Sequence, residues 1–405
     1  MNVELKWLEE GTVTSSQGFL AGATYAGIKI YTEDKFDLGI LYSEVPCTVA
    51  GTFTTNKIKS PSVVLDQRRV SSGHAQAIVV NSGIANACVG EQGMTDALEM
   101  AALAAKHLNI EPELVLASST GLVGVELPIA LIRSGVSKIQ LTVEGGHALA
   151  RAILTTDTRS KEVAVSFQVA GKSYVLGGIA KGSGMVHPNM ATMLAFLATD
   201  APVEQSFLQE ALAQAVDSSF NMITVDGDTS TNDSVIILAN GIAGGDTITL
   251  GSSGENAFRH ALNEVCTALA KEIARDGEGA TKLIQVTVEG ALSESDARAA
   301  ARTVASSTLV KSAVHGSDPN WGRIIVALGY SGAEVDESRI ALYINDVCIM
   351  EEGRPIPFFK DAVVLTMNGP EVSFRLDLKL GKATATAWGC DLSEEYVTFN
   401  SAYTT

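Results

Sequence analysis

The chain has 405 residues, with 46 acidic and 29 basic side chains for a net charge of −17, and it is 46% hydrophobic and 19% charged. This length predicts two or three domains, each with its own core. The acidic balance repels phosphate backbones and anionic membranes, so neither nucleic acid nor a membrane is an expected partner. The stretch Met1 to Trp7 has neither the basic nor the apolar region of a secretory leader, and no window approaches 18 uninterrupted apolar residues. A cytoplasmic protein is expected.

The first 90 residues alternate β-rich runs with turns, as in Gly51 to Asn56 and Ala77 to Val80. A helix is predicted from about Thr95 to Leu108, capped by Thr95, with Leu98, Ala101, Ala105 and Leu108 on one face. A strand at Leu114 to Ala117 then runs into Ser118 to Gly124, followed by one helix after Pro128 and another through Ala148 to Ile153. Val163, Val165, Phe167 and Val169 alternate with polar neighbours and, with Tyr174 to Leu176, read as a hairpin feeding a glycine-rich loop. Val203 to Ser219 and Gly254 to Asp276 read as amphipathic helices. In the second, Phe258, Leu262, Cys266, Leu269 and Ile273 recur at helical spacing.

After the strand at Leu283 to Val288, Ser293 caps an Ala-rich helix, and strands are expected around Ile324, Ile340, Val372 and Thr384. The pattern restarts there, so a boundary is placed near residue 290: a larger domain over 1–290 and a smaller α/β domain over 291–405. Mixed helices and hairpins without a repeat or a long linker predict an α/β (α+β) fold, a layered α/β/β/α sandwich.

Metal chemistry has no recognisable ligand set. The five cysteines form no CxxC pair, and the six histidines form no HxxxH or HExxH pattern. The cysteines are expected to be buried thiols.

Chemistry is best sought in Gly177 to Leu194, where glycines and Lys181 lead into an apolar run. Neither a P-loop nor a GxGxxG reading fits, because the lysine does not follow the second glycine and His187 stands where a third glycine would be needed. Small Ala191 precedes hydroxyl-bearing Thr192, a threonine that on pattern alone is an ordinary strand residue that packs; the pair also offers a second option. Cleavage between them would make Thr192 an N-terminal nucleophile whose own α-amine, of pKa about 7.7 to 8.0, serves as general base. His187, five residues earlier, is then not needed as one. Asp226 to Asp233 and His315 to Arg323 are dense in turn residues and read first as structure. His315 with Asp318 is the one acid/base pair that the second stretch could offer.

Lys181-Gly182-Ser183-Gly184-Met185, followed by Pro188-Asn189-Met190-Ala191-Thr192-Met193-Leu194, resembles the ornithine acetyltransferases of arginine biosynthesis, the ArgJ family. The likeness extends through Ala50 to Asn56, Asn81 to Gly83, Ser119 to Gly121, Thr155 to Thr158, the two turn-rich stretches and Ala274 to Lys282. Ile84 departs from it, since Asn-Ser-Gly is often followed by Asn in this family.

The resemblance implies self-cleavage between Ala191 and Thr192, giving an α chain of 191 residues and a β chain of 214, assembled as an (αβ)2 heterotetramer. It implies a ping-pong reaction through acetyl-Thr192, from N-acetylornithine to glutamate, with the Thr120 hydroxyl and the Gly121 N–H as oxyanion donors. It assigns substrate contacts to Thr155, Lys181, Thr192, Glu278, Asn400 and Thr405, Lys181 suiting a carboxylate and Glu278 an ammonium group. No cofactor is expected, with acetyl-CoA a candidate co-substrate because some members accept it. The rival readings are an aminopeptidase or amidase on the same fold, with water as acyl acceptor, and a non-catalytic binding protein whose chain stays intact.

Overall fold

The structure is a computed structural model that describes residues 5–29, 35–187 and 193–402. Among these, the strands form two sheets. The first runs in the order Lys6–Trp7, Lys161–Val169, Lys172–Lys181, Leu194–Thr199, Ser234–Ala239, Leu38–Phe53, His74–Ile84 and Val115–Leu122, with Phe19–Thr24 also paired to Leu38–Phe53. The second runs Arg354–Pro355, Val347–Glu351, Ala341–Ile344, Glu371–Asp377, Leu283–Ala291, Ala383–Cys390 and Ile223–Thr224.

The centre of the first sheet is covered on both faces, and its strands are correspondingly apolar throughout. Every residue of Leu194–Thr199 and of its parallel neighbour Ser234–Ala239 is buried. Side chains alternate between faces along a strand. Accordingly Ala195, Leu197, Val235 and Ile237 join one core, while Leu194, Phe196, Ala198, Ile236 and Leu238 join another.

The first of these cores is closed by the helices Gln205–Ser218 and Glu255–Arg275, the latter lying on the hairpin Lys161–Val169 and Lys172–Lys181. Its predicted stripe is the buried one, with Phe258, Leu262, Cys266, Leu269 and Ile273 all fully enclosed. Burial of each large apolar side chain contributes roughly 1.5–3 kcal/mol. The short helix Gly146–Ala152 covers the other core through Leu149 and Ala150. Pro61–Val70, Gln92–Leu108 and Ile129–Val136 enclose the far end of the sheet, and Glu294–Ser306 packs on the second sheet, its Ser293 side chain accepting from the Asp296 N–H as a cap. The chain therefore forms the layered α/β architecture expected from its sequence.

Several local readings are corrected. The first long helix starts at Gln92, so Thr95 lies inside it, and its buried face is Ala97, Met100, Ala101, Ala104 and Ala105, whereas Leu98 is exposed. Ile324 sits in the helix Trp321–Gly329, not in a strand. Gly177 to Lys181 belong to the strand Lys172–Lys181, so the glycine-rich loop begins only at Gly182. The junction placed near residue 290 falls at the end of Leu283–Ala291, in a sheet that also takes in Ile223–Thr224. Of the cysteines, Cys47, Cys266 and Cys390 are buried, but Cys88 is exposed and Cys348 partly so.

Candidate active site

Thr120 and Gly121 end the strand Val115–Leu122, which runs parallel to His74–Ile84 with Thr120 opposite Ser82 and Gly121 opposite Gly83. Gly121 adopts φ +128°, and a Cβ there would overlap the Gly83 carbonyl. Only glycine combines that backbone conformation with so close an approach. The consequence is a polar strand end, Thr120 with Gly121, that lines a cleft.

Lys181 ends a different strand and pairs in register with Leu194, two residues beyond Thr192 in sequence. It is 2% exposed, and its Nζ donates to Thr155 Oγ1 at 2.8 Å and lies 3.8 Å from Asp157 Oδ2. Burial lowers its pKa, and Asp157 opposes that shift. Asp157 is itself enclosed. Burial alone would raise its pKa, but Lys181 and Lys161 together hold the carboxyl well below the usual range. Lys161 Nζ in turn reaches Asp157 Oδ1 at 2.7 Å and Asp276 Oδ2 at 2.6 Å. Four alternating charges thus run beneath the cleft with their partners fixed.

Glu278 arrives from the loop after the long helix Glu255–Arg275. Its N–H donates to the Ser183 carbonyl at 2.8 Å, and its Oε2 accepts from Asn400 Nδ2 at 2.9 Å. Gly184 leaves room for the Glu278 carboxyl, which a Cβ at that position would displace. Thr120, Gly121, Thr155, Lys181, Glu278 and Asn400 all line one cavity. Of the remaining expected residues, Ala191, Thr192 and Thr405 lie outside the described residues.

The structure adds residues given no role above. Thr156, Ser230 and Asn232 also line the cavity. Asp157 supports Lys181 and accepts from the Gly182 N–H at 2.7 Å. Both Thr156 and Asp157 stand in a stretch already matched to the family, but only tertiary pairing reveals what they touch. Asp226 accepts from Met185 and Val186 N–H at 2.6 and 2.9 Å, so the Asp226 to Asp233 turn anchors the segment that follows Gly184.

The two histidines have other partners. His187 Nδ1 meets Thr224 Oγ1 at 3.2 Å, and burial lowers its pKa. His315 pairs through Nδ1 with Asp391 at 2.7 Å, not with Asp318, which accepts from Asn320 instead. Among the described residues there is no group of three or more His, Cys, Asp or Glu able to hold a metal ion, and no helix is long and apolar enough to cross a membrane.

The ArgJ family model matches residues 20–405. The chain belongs to the ArgJ family. Its relatives include the arginine biosynthesis bifunctional protein ArgJ of Symbiobacterium thermophilum, 52% identical across 99% of this chain and 100% of that one. Another is the protein of the same name from Dehalococcoides mccartyi, 50% identical across the whole of both chains. The crystal structure of arginine biosynthesis bifunctional protein ArgJ from Bacillus halodurans is 43% identical, with a TM-score of 0.51, and covers 51% of this chain and 98% of that one. Family membership makes this protein an acyltransferase, and it places the cavity described above in an enzyme of arginine biosynthesis.

Proposed function

We propose that this protein transfers an acetyl group from N2-acetyl-L-ornithine to L-glutamate through an acetyl ester on Thr192, after cutting itself between Ala191 and Thr192. The observation that carries this reading is the convergence, in one cavity, of a buried cation (Lys181), a carboxylate (Glu278) and a polar strand end (Thr120 with Gly121). Both donor and acceptor are amino acids or their acyl derivatives, and each presents a carboxylate for Lys181. The amino groups of ornithine suit Glu278.

In this mechanism the freed α-amine of Thr192 takes the proton from its own hydroxyl, and Oγ attacks the acetyl carbonyl. The oxyanion accepts hydrogen bonds from the Thr120 hydroxyl and the Gly121 N–H, ornithine leaves with the proton, and the acetyl ester remains. Removing one such donor typically costs about 10²–10³ in kcat. The glutamate amine then attacks the ester through the same oxyanion arrangement, the bond from the acetyl carbon to Thr192 Oγ breaks, the proton lost by the amine returns to Oγ through the α-amine, and N-acetylglutamate leaves.

The chain of the Bacillus relative fits onto only about half of this one although 98% of it is matched. That coverage favours a precursor cut near its middle, into chains of 191 and 214 residues here. The relatives' description as bifunctional supports a second activity. We assign it to acetyl transfer from acetyl-CoA, in a cytoplasmic (αβ)2 heterotetramer. The test is isotope exchange: labelled ornithine must enter N-acetylornithine in the absence of glutamate, as an acetyl-enzyme requires. Exchange that needs glutamate would rule out the ping-pong route.

A further inference from the structure

The Asp226 to Asp233 turn ends in two adjacent buried side chains that reach opposite parts of the machinery. Asn232, 5% exposed, donates from its one amide nitrogen to the carbonyls of Ala85 at 2.6 Å and Ser119 at 2.8 Å. It thereby clips together the parallel strands His74–Ile84 and Val115–Leu122, beside Thr120. Asp233, 1% exposed, accepts from the Met193 N–H at 2.9 Å through Oδ1. Its Oδ2 is buried as well. Burial pushes its carboxyl well above the usual carboxylate range, so the group is held towards its neutral form. The Ser234 N–H closes the same turn on the Met193 carbonyl at 3.2 Å.

We propose that Asn232 and Asp233 are positioning residues that brace the oxyanion donors against Met193, the residue that precedes the strand Leu194–Thr199, setting the distance on which both self-cleavage and acetyl transfer depend. This rests on the reading of Thr192 as nucleophile. Met193 directly follows Thr192, and Ser119 directly precedes Thr120. Between them stand two short side chains and one peptide unit, whose Cα atoms are about 3.8 Å apart. No slack loop lies in that path, so an error at either end passes directly to the other. A misplacement of about 1 Å at a reacting centre costs about 10²-fold in rate. Asn232 lines the cavity and Asp233 lies within electrostatic reach of Lys181, but neither hydrogen-bonds Lys181, Thr155 or Glu278, so the brace acts on processing and kcat more than on KM.

The experiment follows self-cleavage by intact mass after synthesis, then measures kcat and KM for glutamate on whatever processed enzyme forms. N232D keeps the side-chain shape but loses the donating amide; D233L keeps the bulk but loses the acceptor; D233N keeps a carbonyl acceptor in neutral form. The brace predicts that N232D and D233L process at least about 100-fold more slowly and lose kcat in like measure, with any change in KM well below the change in kcat. It predicts that D233N restores processing to within about tenfold. Wild-type rates in N232D, a change confined to KM, or a D233N as inactive as D233L would each overturn it. If D233L does not fold, N232D and D233N still decide. Absence of cleavage in the wild-type chain would instead sink the nucleophile assignment, whereas normal cleavage in all three variants sinks the brace alone.

Discussion

Replacing Lys161 by Met should destabilise this protein by an amount that its surroundings set. The Lys161 side chain is fully enclosed, between Asp157, also fully enclosed, and Asp276, whose side chain is 4% exposed. Removing one partner of a buried ion pair costs about 3–5 kcal/mol, because the charge left behind has no water to turn to. Asp157 would keep Lys181 at 3.8 Å and the N–H groups of Gly182 at 2.7 Å and Thr155 at 3.1 Å, while Asp276 would keep the Thr158 N–H at 3.0 Å. Those remaining partners favour the lower end, about 3 kcal/mol.

With an unfolding entropy of about 2.1 cal/mol/K per residue over 405 residues, 3 kcal/mol corresponds to a fall of about 3–4 °C in Tm at neutral pH. The Asp157 carboxyl is held low in the folded state, so its contribution is present above the unfolded pKa near 3.9 and is lost as pH falls. Without Lys161 that depression shrinks, so the gap between wild type and variant should narrow as pH falls through the usual carboxylate range and go on narrowing below it, towards the low value at which wild-type Asp157 is protonated. Differential scanning calorimetry at pH 7 and at pH 3.5 reads both effects. A shift under 1 °C at pH 7, or a gap that widens in acid, would refute the argument.

Glu278→Gln should raise KM for N-acetylornithine by at least about tenfold, as expected for loss of a charged hydrogen bond, while self-cleavage proceeds; initial-rate kinetics on the processed variant check this. Thr120→Val should lower kcat about 10²–10³-fold with KM little changed, measured by ornithine release. Gly121→Ala should leave little correctly folded enzyme, because the new Cβ meets the Gly83 carbonyl at φ +128°. Soluble yield and near-UV circular dichroism report on it, and a normal fold there would contradict the close approach described.

Where the sequence was legible, a period or a cap made it so. The stripe from Phe258 to Ile273 repeats over 21 residues, long enough for helical spacing to be unambiguous. Ser293 announces its helix through the Asp296 N–H. Trp321–Gly329 was misread because a short apolar run, Ile324 to Leu328, suits strand and helix equally. Thr95 misled because hydroxyl residues also occur within helices, and this one starts at Gln92 without a side-chain cap.

The site was legible in part. Lys181, Thr120 and Glu278 could be placed by their motifs, but the charge chain beneath them could not. Lys161 meets Asp276 across 115 positions of sequence, and Asn232 reaches Ser119 across 113. Such pairings are made by sheet topology, which local spacing does not encode. The same holds for His315, whose partner is Asp391 and not its near neighbour Asp318.

The central claim is that Thr192 becomes the N-terminal residue that carries the acetyl group. A denaturing intact-mass spectrum of the purified protein, beside its Thr192→Ala variant and after exposure to N-acetylornithine, tests it most directly. The account predicts chains of 191 and 214 residues in the wild type, an acetyl mass increment confined to the longer one, and a single uncut chain in the variant. A wild-type chain that remains whole, or an acetyl group on the shorter chain, would contradict it.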